Sequence, residues 1–350
     1  MRVKTVQSVL PFLFVAFVLP GTTLALALLK LGLPPSISPY SVADPRESYA
    51  FITKACAQAI AKWKTNCDNG RRGEVDFPIM LCGLGAAGRK SEFQDFDNLN
   101  ELDSNMEFVL RMVSSSVDGE QFAKGSTYII YPDLKELELS STEWQGAMYK
   151  RTTKTTIEQM ADKYATDGYV APWGTAITKA VSKVTVERSG DSTATLLGDT
   201  SFLTDLKGKE PELTFYVQPG NGGPVEDWIN VANIEKALEP RSFCVIFNGA
   251  LDKVRGGYYP PLFFPKLAQT NSDFYDEGLG WEGIFILRKL ADKGKFGWLY
   301  RVYPEEWCVY EQCVKKVVKG EEVVVEIDDV LKWSGDSRPS YKEAISYLVN

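Results

Sequence analysis

The chain has 350 residues, of which 44% are hydrophobic and 24% charged, a globular composition long enough for one large domain or two ordinary ones. It contains no histidine, which excludes Ser-His-Asp catalysis, Cys-His catalysis and His-ligated zinc within this polypeptide. Acidic residues outnumber basic ones by 46 to 39 and no basic stripe is present, so nucleic acid is not expected as a partner.

Residues 1–27 are predicted to form a signal-peptide-like targeting segment. Arg2 and Lys4 precede an apolar run from Val9 to Leu19, and Ala25-Leu26-Ala27 makes an A-x-A cleavage pattern. The alternative is an uncleaved signal anchor, because the apolar stretch is nearly long enough to span a bilayer.

Residues 28–43 are predicted to be a linker, or the remnant of a transit peptide behind a signal peptide. Such a two-part leader delivers proteins to plastids that are enclosed by extra membranes. Residues 44–350 are predicted to form a single α/β domain.

The first elements of this domain are a helix and a strand. Asp44-Pro45-x-Glu47 is a helix start, and apolar residues then recur at three- and four-residue spacing as far as Asn66. Alternation from Val75 to Leu81 predicts a strand, and Pro78 indicates that this strand lies at a sheet edge or is bulged.

The middle of the chain alternates between helix and strand signals. We predict a helix over Met106–Val113, a strand over Thr127–Tyr131 that Pro132-Asp133 closes, and a helix over Thr156–Tyr164. Residues 166–212 are irregular and are predicted to be an insertion or a β-rich loop.

The clearest unit runs from Leu213 to Leu251. A strand, a Gly-rich turn, a helix over Val225–Leu238 and a continuous apolar strand follow one another, which predicts a parallel crossover. The predicted fold class is therefore a layered α/β domain whose mostly parallel, Rossmann-like sheet has helices on both faces.

The last third predicts antiparallel hairpins. One pairs Gly283–Leu290 with Phe296–Tyr303, and a second pairs Val314–Val318 with Val323–Ile327. Ser340-x-x-Glu343 is a capping box that opens the final helix.

Two glycine-rich turns are weak candidates for a nucleotide site. Gly83-x-Gly85-x-x-Gly88 follows a strand but is followed by charged residues, so a flexible turn is the alternative. The second turn ends with Gly222 and Gly223 before a helix N-terminus. Because Glu226-Asp227 opens that helix and would repel a phosphate, the alternative is an ordinary βα connection.

The spacing of the cysteines and carboxylates does not indicate a metal-binding site. There is no Cys-x-x-Cys pair and no EF-hand spacing, so neither a metal nor a cofactor is predicted. Apolar surroundings predict buried free thiols for Cys56, Cys82 and Cys244. Disulfides would instead indicate a secreted binding protein.

Aromatic residues concentrate in the last third of the chain. Trp298, Tyr300 and Val302 alternate and are predicted to share one side of a strand, where core packing competes with a binding surface. The segment from Tyr258 to Pro265 is an unusually apolar loop, which would form a contact patch if it is exposed.

Ordered sequence motifs over residues 45–350 resemble a domain of unknown function found in cyanobacteria and plastids. Plants carry it in a chloroplast low-photosystem-II-accumulation assembly factor and behind a chloroplast adenylate kinase. The matching stretches are Gly73–Pro78, Tyr131-Pro132-Asp133, Pro240-Arg241 with Val245–Asn248, Gly297–Pro304 with Trp307, and Arg338-Pro339-Ser340. Gly249 departs from the family pattern, in which a proline is usual.

The resemblance brings no catalytic residues with it. It marks family-motif positions at Pro132, Asp133, Arg241, Asn248, Arg301, Tyr303, Pro304, Trp307 and Pro339. It implies a plastid address and a role in assembling photosynthetic complexes.

The leading hypothesis is therefore a non-enzymatic plastid protein that binds a protein partner such as a thylakoid complex subunit, with peripheral membrane association as a further mode of contact. The alternative is a nucleotide-binding enzyme or sensor that uses a Gly-rich turn. Location in the secretory pathway or outside the cell is the alternative to the plastid.

Overall fold

A nine-stranded mixed sheet organises the chain. The computed structural model describes residues 45–66, 71–78, 98–114, 122, 125–145, 152–172, 210–220, 223–319 and 322–349. The strands are β1 (Arg72–Asp76), β2 (Thr127–Tyr131), β3 (Thr153–Thr156), β4 (Leu213–Val217), β5 (Phe243–Phe247), β6 (Trp281–Asp292), β7 (Lys295–Val302), β8 (Trp307–Lys319) and β9 (Glu322–Gly335).

The strands lie in the order β3-β2-β4-β5-β1-β6-β7-β8-β9. All pairs from β3 to β6 are parallel, and the pairs from β6 to β9 are antiparallel. The predicted fold class is confirmed, including the crossover from β4 to β5 and the hairpin of β6 and β7.

Helices cover both sides of the sheet. They are α1 (Pro45–Asn66), α2 (Asn98–Ser114), α3 (Leu134–Glu143), α4 (Ile157–Tyr164), α5 (Glu226–Leu238), α6 (Leu251–Arg255), α7 (Pro265–Thr270) and α8 (Tyr341–Val349). A π-helical turn (Asn271–Tyr275) and a 3₁₀ turn (Glu277–Leu279) follow α7. We call the side packed against α1, α2 and α3 face A, and the side packed against α4 to α8 face B.

Local chemistry explains several helix starts. Asp133 caps α3, because its carboxylate accepts hydrogen bonds from the backbone N–H groups of Lys135 and Glu136. Thr156 and Gln159 form a capping box at α4, and Ser340 and Glu343 form the predicted one at α8.

Of the two alternatives predicted for the first strand, an edge position is wrong, whereas an irregular register is found. β1 lies between β5 and β6 in the middle of the sheet and ends at Asp76, before Pro78. Pro78 therefore removes no ladder donor, and the N–H of Phe77 donates to the Asn248 side chain at 2.8 Å. The irregularity that Pro78 suggested occurs elsewhere, as a register shift between β1 and β6 at Glu74/Val75.

Other predictions agree with the structure in part or lie outside the described residues. The β8–β9 hairpin is longer than predicted. Cys56 and Cys244 are buried free thiols, as expected. The leader, the linker, Cys82 and most of 166–212 lie outside the described residues. Within those residues, no helix has the length and apolar character needed to cross a membrane.

A layer of charged side chains divides face B into two apolar clusters. One cluster lies under α4 to α7, and the other packs β6, β7 and β8 against α8. Between them, β1 presents Glu74 and Asp76, which meet residues of β6, α6 and the C-terminal segment. We call this set the charged layer: Glu74, Asp76, Asp252, Arg255, Arg288 and Arg338.

Glu74 is the centre of the charged layer. Its carboxylate is buried and accepts from Arg255 at 2.8 Å and from Arg338 at 2.6 Å, with Arg288 at 3.7 Å. Burial alone would raise the pKa of Glu74, but the guanidinium groups of Arg338, Arg255 and Arg288 outweigh it and hold the pKa well below its usual range. The layer therefore ties the parallel half of the sheet to the antiparallel half.

Replacing Glu74 by glutamine is expected to lower the free energy of unfolding by about 3–5 kcal/mol, because it removes the buried carboxylate that three guanidinium groups share. Urea denaturation measures the loss. Glu210→Gln is the matched control, since Glu210 pairs with Arg241 where both side chains are more than half exposed, and it should cost about 0–1 kcal/mol. An equal effect of the two substitutions would contradict a structural role for the charged layer.

Candidate functional site

The carboxyl ends of the parallel strands lie at one edge of the sheet. At two places along this edge, the helices that follow two neighbouring strands lie on opposite faces. The chain passes from β2 to α3 on face A and from β4 to α5 on face B, although β2 and β4 are neighbours. The helices that follow the neighbouring strands β1 and β5 in the described chain, α2 and α6, also lie on opposite faces. Ligands of open α/β sheets bind at such carboxyl-end crevices.

Pro132 and Asp133 lie at the β2 side of the first crevice. The Asp133 carboxylate accepts from Lys135 N–H at 2.8 Å and from Glu136 N–H at 3.2 Å. Burial raises the pKa of Asp133 despite these bonds. This family-motif position therefore has a structural role, as the cap of α3, beside the crevice.

The second Gly-rich turn forms the β4 side of the same crevice. Gly220 adopts a positive φ of 67° and packs on Trp228, and its N–H donates to the buried carboxyl of Asp227 at 3.3 Å. A phosphate would need that N–H and would meet a carboxyl group beside Gly223. The geometry therefore favours an ordinary βα connection over a phosphate site at this turn, while Gly222 lies outside the described residues.

The other glycine-rich candidate is not described. Gly83, Gly85 and Gly88 all lie between residues 79 and 97, outside the described part of the chain. Their proposed nucleotide contact stays a prediction.

Asp227 has an unusual protonation equilibrium. Burial is the main reason that its pKa is raised to about 7; the Gly220 N–H opposes the shift, and the charges of Glu226 and Asp133 add to it. A carboxyl group that titrates near neutrality can donate or accept a proton at physiological pH, so Asp227 is the most chemically distinctive group of this crevice.

Tyr169 covers the same crevice from the segment after α4. That segment is held to α5 by a pair of hydrogen bonds between Asn230 and the backbone of Val170, at 2.8 and 2.9 Å. Burial, followed by the charges of Asp227, Glu158, Glu226 and Asp133, raises the pKa of Tyr169 to about 12. The crevice thus gathers a phenol and carboxyl groups that bind hydroxyl or amino groups better than anions.

An amide chain fills the second crevice, between β1 and β5. Asn248 donates to Asn105 at 2.7 Å, Asn105 donates to Gln218 at 2.6 Å, and all three side chains are buried. Asn248 ends β5 at a positive φ of 48° and bonds to the backbone after β1. The amide of this family-motif residue therefore belongs to a buried network that joins the ends of β1, β4 and β5.

The aromatic family-motif positions meet on the antiparallel half. Trp307 is buried, with the guanidinium groups of Arg301 and Arg338 at 4.9 and 5.3 Å from its ring centroid. Its ring lies so close to Gly283 that a Cβ added there would come within 2.5 Å. Tyr303 packs against the face A core, and its peptide bond to Pro304 is cis.

The motif positions therefore occupy different places. Arg301, Tyr303, Pro304 and Trp307 lie on the antiparallel half, and Pro339 is buried directly after Arg338, whose guanidinium group lies over the Trp307 ring. Asn248, Pro132 and Asp133 lie at the carboxyl edge. Arg241 lies between α5 and β5 at the opposite edge, exposed and paired with Glu210 at 2.6 Å.

The apolar loop between α6 and α7 is exposed. Tyr258, Leu262 and Phe263 have 70%, 84% and 73% of their surface accessible, the highest values among the large hydrophobic residues of the described chain. Tyr259 and Phe264 point inward, with ring centroids 5.2 Å apart, and Tyr259 lies 5.4 Å from Trp228. We call residues 256–264 the docking loop.

Sequence reasoning missed the buried carboxyl groups of α5. It assigned Asp227 to the helix dipole and gave no role to Glu235, which accepts from Thr214 at 2.8 Å and Tyr216 at 2.6 Å. Burial is the main cause that raises the pKa of Glu235 to about 7. The available signal was the mostly apolar character of the facing strands, which leaves little water for any acidic residue of α5.

These two carboxyl groups predict a pH-dependent stability. A folded pKa of about 7, above the unfolded value near 4, means that the folded state holds protons that the unfolded state has released. The free energy of unfolding should therefore fall as pH rises from about 5 to about 8. Asp227→Asn and Glu235→Gln should each remove about 1–3 kcal/mol of that fall, measured by urea denaturation across the pH range. Asp336→Asn, at an exposed carboxylate, is the control and should leave the pH profile unchanged; wild-type stability that is flat over this range would contradict the prediction.

Comparison with known proteins identifies the family of the chain but assigns no activity, ligand or partner. A family model described as a domain of unknown function (DUF1995) matches residues 43–343. Neither the curated proteins nor the solved structures gave a match. The match spans almost all of the nine-stranded sheet and its helices, from α1 to the start of α8. The chain belongs to the family that carries this domain of unknown function, DUF1995.

Proposed function

We propose that this protein is a binding factor that docks on a protein partner, and that the docking loop makes the contact. The observation that carries the proposal is the exposure of Tyr258, Leu262 and Phe263 on one short loop. Exposed apolar groups of this kind mark interaction sites, and aromatic side chains dominate interface energies.

The docking loop is held in one conformation before it binds. The N–H groups of Phe263 and Phe264 both donate to the Pro260 carbonyl at 3.0 Å, and Tyr258 N–H donates to the Lys253 carbonyl at 3.2 Å. Tyr259 and Phe264 anchor it on face B. A loop that is already ordered loses little conformational entropy on binding, so its apolar area contributes more fully to affinity.

The partner that we propose is a subunit of a photosynthetic complex in the thylakoid, and the address is the plastid. The resemblance of the sequence motifs to the domain found in cyanobacteria and plastids supports both proposals, together with the signal-peptide-like residues 1–27 and the transit-like residues 28–43. Because the protein is acidic overall, a partner that offers basic groups around an apolar pocket would complement it. Insertion of the loop into a lipid surface is the competing mode of contact.

A second candidate function is binding of a nucleotide or nucleoside by an enzyme or sensor. The convergence of Asp133, Asp227 and Tyr169 at a carboxyl-end crevice favours it. Because these groups are acidic, they suit ribose hydroxyls or base amino groups better than phosphates.

The docking proposal is tested by placing a photoreactive amino acid at position 262 of the full chain in cells that make the protein. We expect one major crosslinked protein, identified by mass spectrometry as a thylakoid complex subunit. Phe263→Ser should reduce its yield about tenfold or more, as expected for an interface hot spot.

Tyr341→Ser is the matched control, because Tyr341 is also an exposed aromatic residue but lies at the start of α8. It should leave the crosslink unchanged. Crosslinks to lipid without a protein product would support the membrane mode instead. A fluorescent fusion of the full chain that is found in the medium or the Golgi would contradict the plastid address.

The second candidate is tested by thermal shift with adenosine, AMP and ATP. It requires stabilisation at micromolar concentration, with adenosine at least as effective as ATP because the crevice is acidic. Asp227→Asn should abolish the shift, whereas Asp336→Asn should not. The absence of a shift with all three compounds would reject nucleotide binding at this crevice.

A further inference from the structure

Three hydrogen-bonding aromatic side chains lie together on the antiparallel half of face A. Trp298 and Tyr300 project from β7 and Tyr310 from β8, with only 3%, 5% and 2% of their surfaces accessible. In the sheet register Trp298 lies directly opposite Tyr310, and the rings of Tyr300 and Tyr310 are 6.2 Å apart. We call these three residues the aromatic platform.

Their polar atoms are buried without hydrogen-bond partners. Within the part of the chain that the structure describes, Trp298 Nε1, Tyr300 Oη and Tyr310 Oη make no hydrogen bond. The groups beside the Tyr310 hydroxyl are the Cys308 thiol, a weak partner, and the side chains of Tyr300 and Asp329, and the thiol donates to the Glu306 carbonyl at 3.8 Å. Burying such groups without partners is costly, and native proteins leave few of them in that state.

Several comparable groups on face B have partners. The Trp228 indole donates to the Gly249 carbonyl at 2.9 Å, the Tyr216 hydroxyl to Glu235 at 2.6 Å and the Tyr275 hydroxyl to the Trp228 carbonyl at 2.7 Å. Three such aromatic groups therefore lie together on the two adjacent strands β7 and β8 of face A.

We propose that the aromatic platform binds a planar, largely apolar ligand that carries carbonyl oxygens. An indole N–H can only donate a hydrogen bond, so the ligand must offer an acceptor to Trp298, and the two phenols can donate to further oxygens. The surrounding side chains are aromatic or aliphatic, including Leu287 and Val302, and these favour a flat ring system.

The site has an open side. Phe296 shares the side of β7 that carries Trp298 and Tyr300, since the three alternate along the strand, and it is 49% exposed. Solvent exposure therefore increases along this side of the sheet, from the buried hydroxyls of Tyr300 and Tyr310 to the half-exposed ring of Phe296. This inference is independent of the docking loop, which extends from α6 on the face B side.

Binding to the purified full chain can be measured by calorimetry with anthraquinone-2-sulfonate. Anthracene-2-sulfonate is the matched control ligand, because it has the same ring shape without carbonyl oxygens. We expect the anthraquinone to bind at least tenfold more tightly than the anthracene, and Trp298→Phe to remove that preference by about tenfold, the equivalent of one hydrogen bond.

Trp333→Phe is the control variant, since Trp333 stacks on Tyr347 beside α8 on face B, and it should leave both affinities unchanged. Equal binding of the two probes, or no binding of either, would overturn the proposal.

The unliganded protein supplies an independent measurement. If the hydroxyls of Tyr300 and Tyr310 have no partner before the ligand binds, Tyr300→Phe and Tyr310→Phe should leave the melting temperature unchanged or raise it. A lowered melting temperature in both variants would show that ordered water already satisfies these groups, and would overturn the proposed site.

Discussion

The carboxylate of Glu74 and the arginines around it are the interaction on which the rest of the structure depends. A buried carboxylate is tolerated only where opposite charge and hydrogen bonds compensate for its lost hydration. Here the compensating groups come from α6, β6 and the C-terminal segment, so one carboxylate joins regions that are far apart in the chain. Arg338 also lies over the Trp307 ring, which in turn packs on Gly283 of β6.

The charged layer joins the parallel and antiparallel halves of the sheet. The apolar clusters of face B stop on either side of β1, and charge pairing replaces apolar packing between them. The α6 helix, which supplies Asp252 and Arg255 to the charged layer, leads directly into the docking loop. Because ion pairs hold α6 in place, the start of the docking loop is also held in place, as a preformed contact surface requires.

The carboxyl edge and the docking loop offer different kinds of recognition. The crevice between β2 and β4 collects acidic and phenolic groups, and one of them, Asp227, changes protonation near neutral pH. The loop offers apolar surface with little charge. A protein that docks through the loop retains a polar crevice on the same molecule, so the two proposed functions are compatible.

Local sequence signals predicted much of this fold. The capping box at Ser340, the apolar periodicity that ends at Asn66 and the strand–turn–helix–strand unit after Leu213 all correspond to observed elements. The motifs that resemble the family pointed to the domain that the chain does contain. The edge position predicted for β1 was wrong, because it depended on Pro78, which lies beyond the end of the strand.

The sequence by itself determined the type and approximate place of most helices and strands and which loop is apolar, because caps, turns and periodicity act over a few neighbouring residues. Tertiary structure alone decided which polar groups became buried and what they met. Glu74 finds its arginines 181 and 264 residues further along the chain, and no local pattern reports a contact at that distance. The same reason applies to the pKa of Asp227 and to the unsatisfied groups of the aromatic platform, since desolvation depends on everything packed around a side chain.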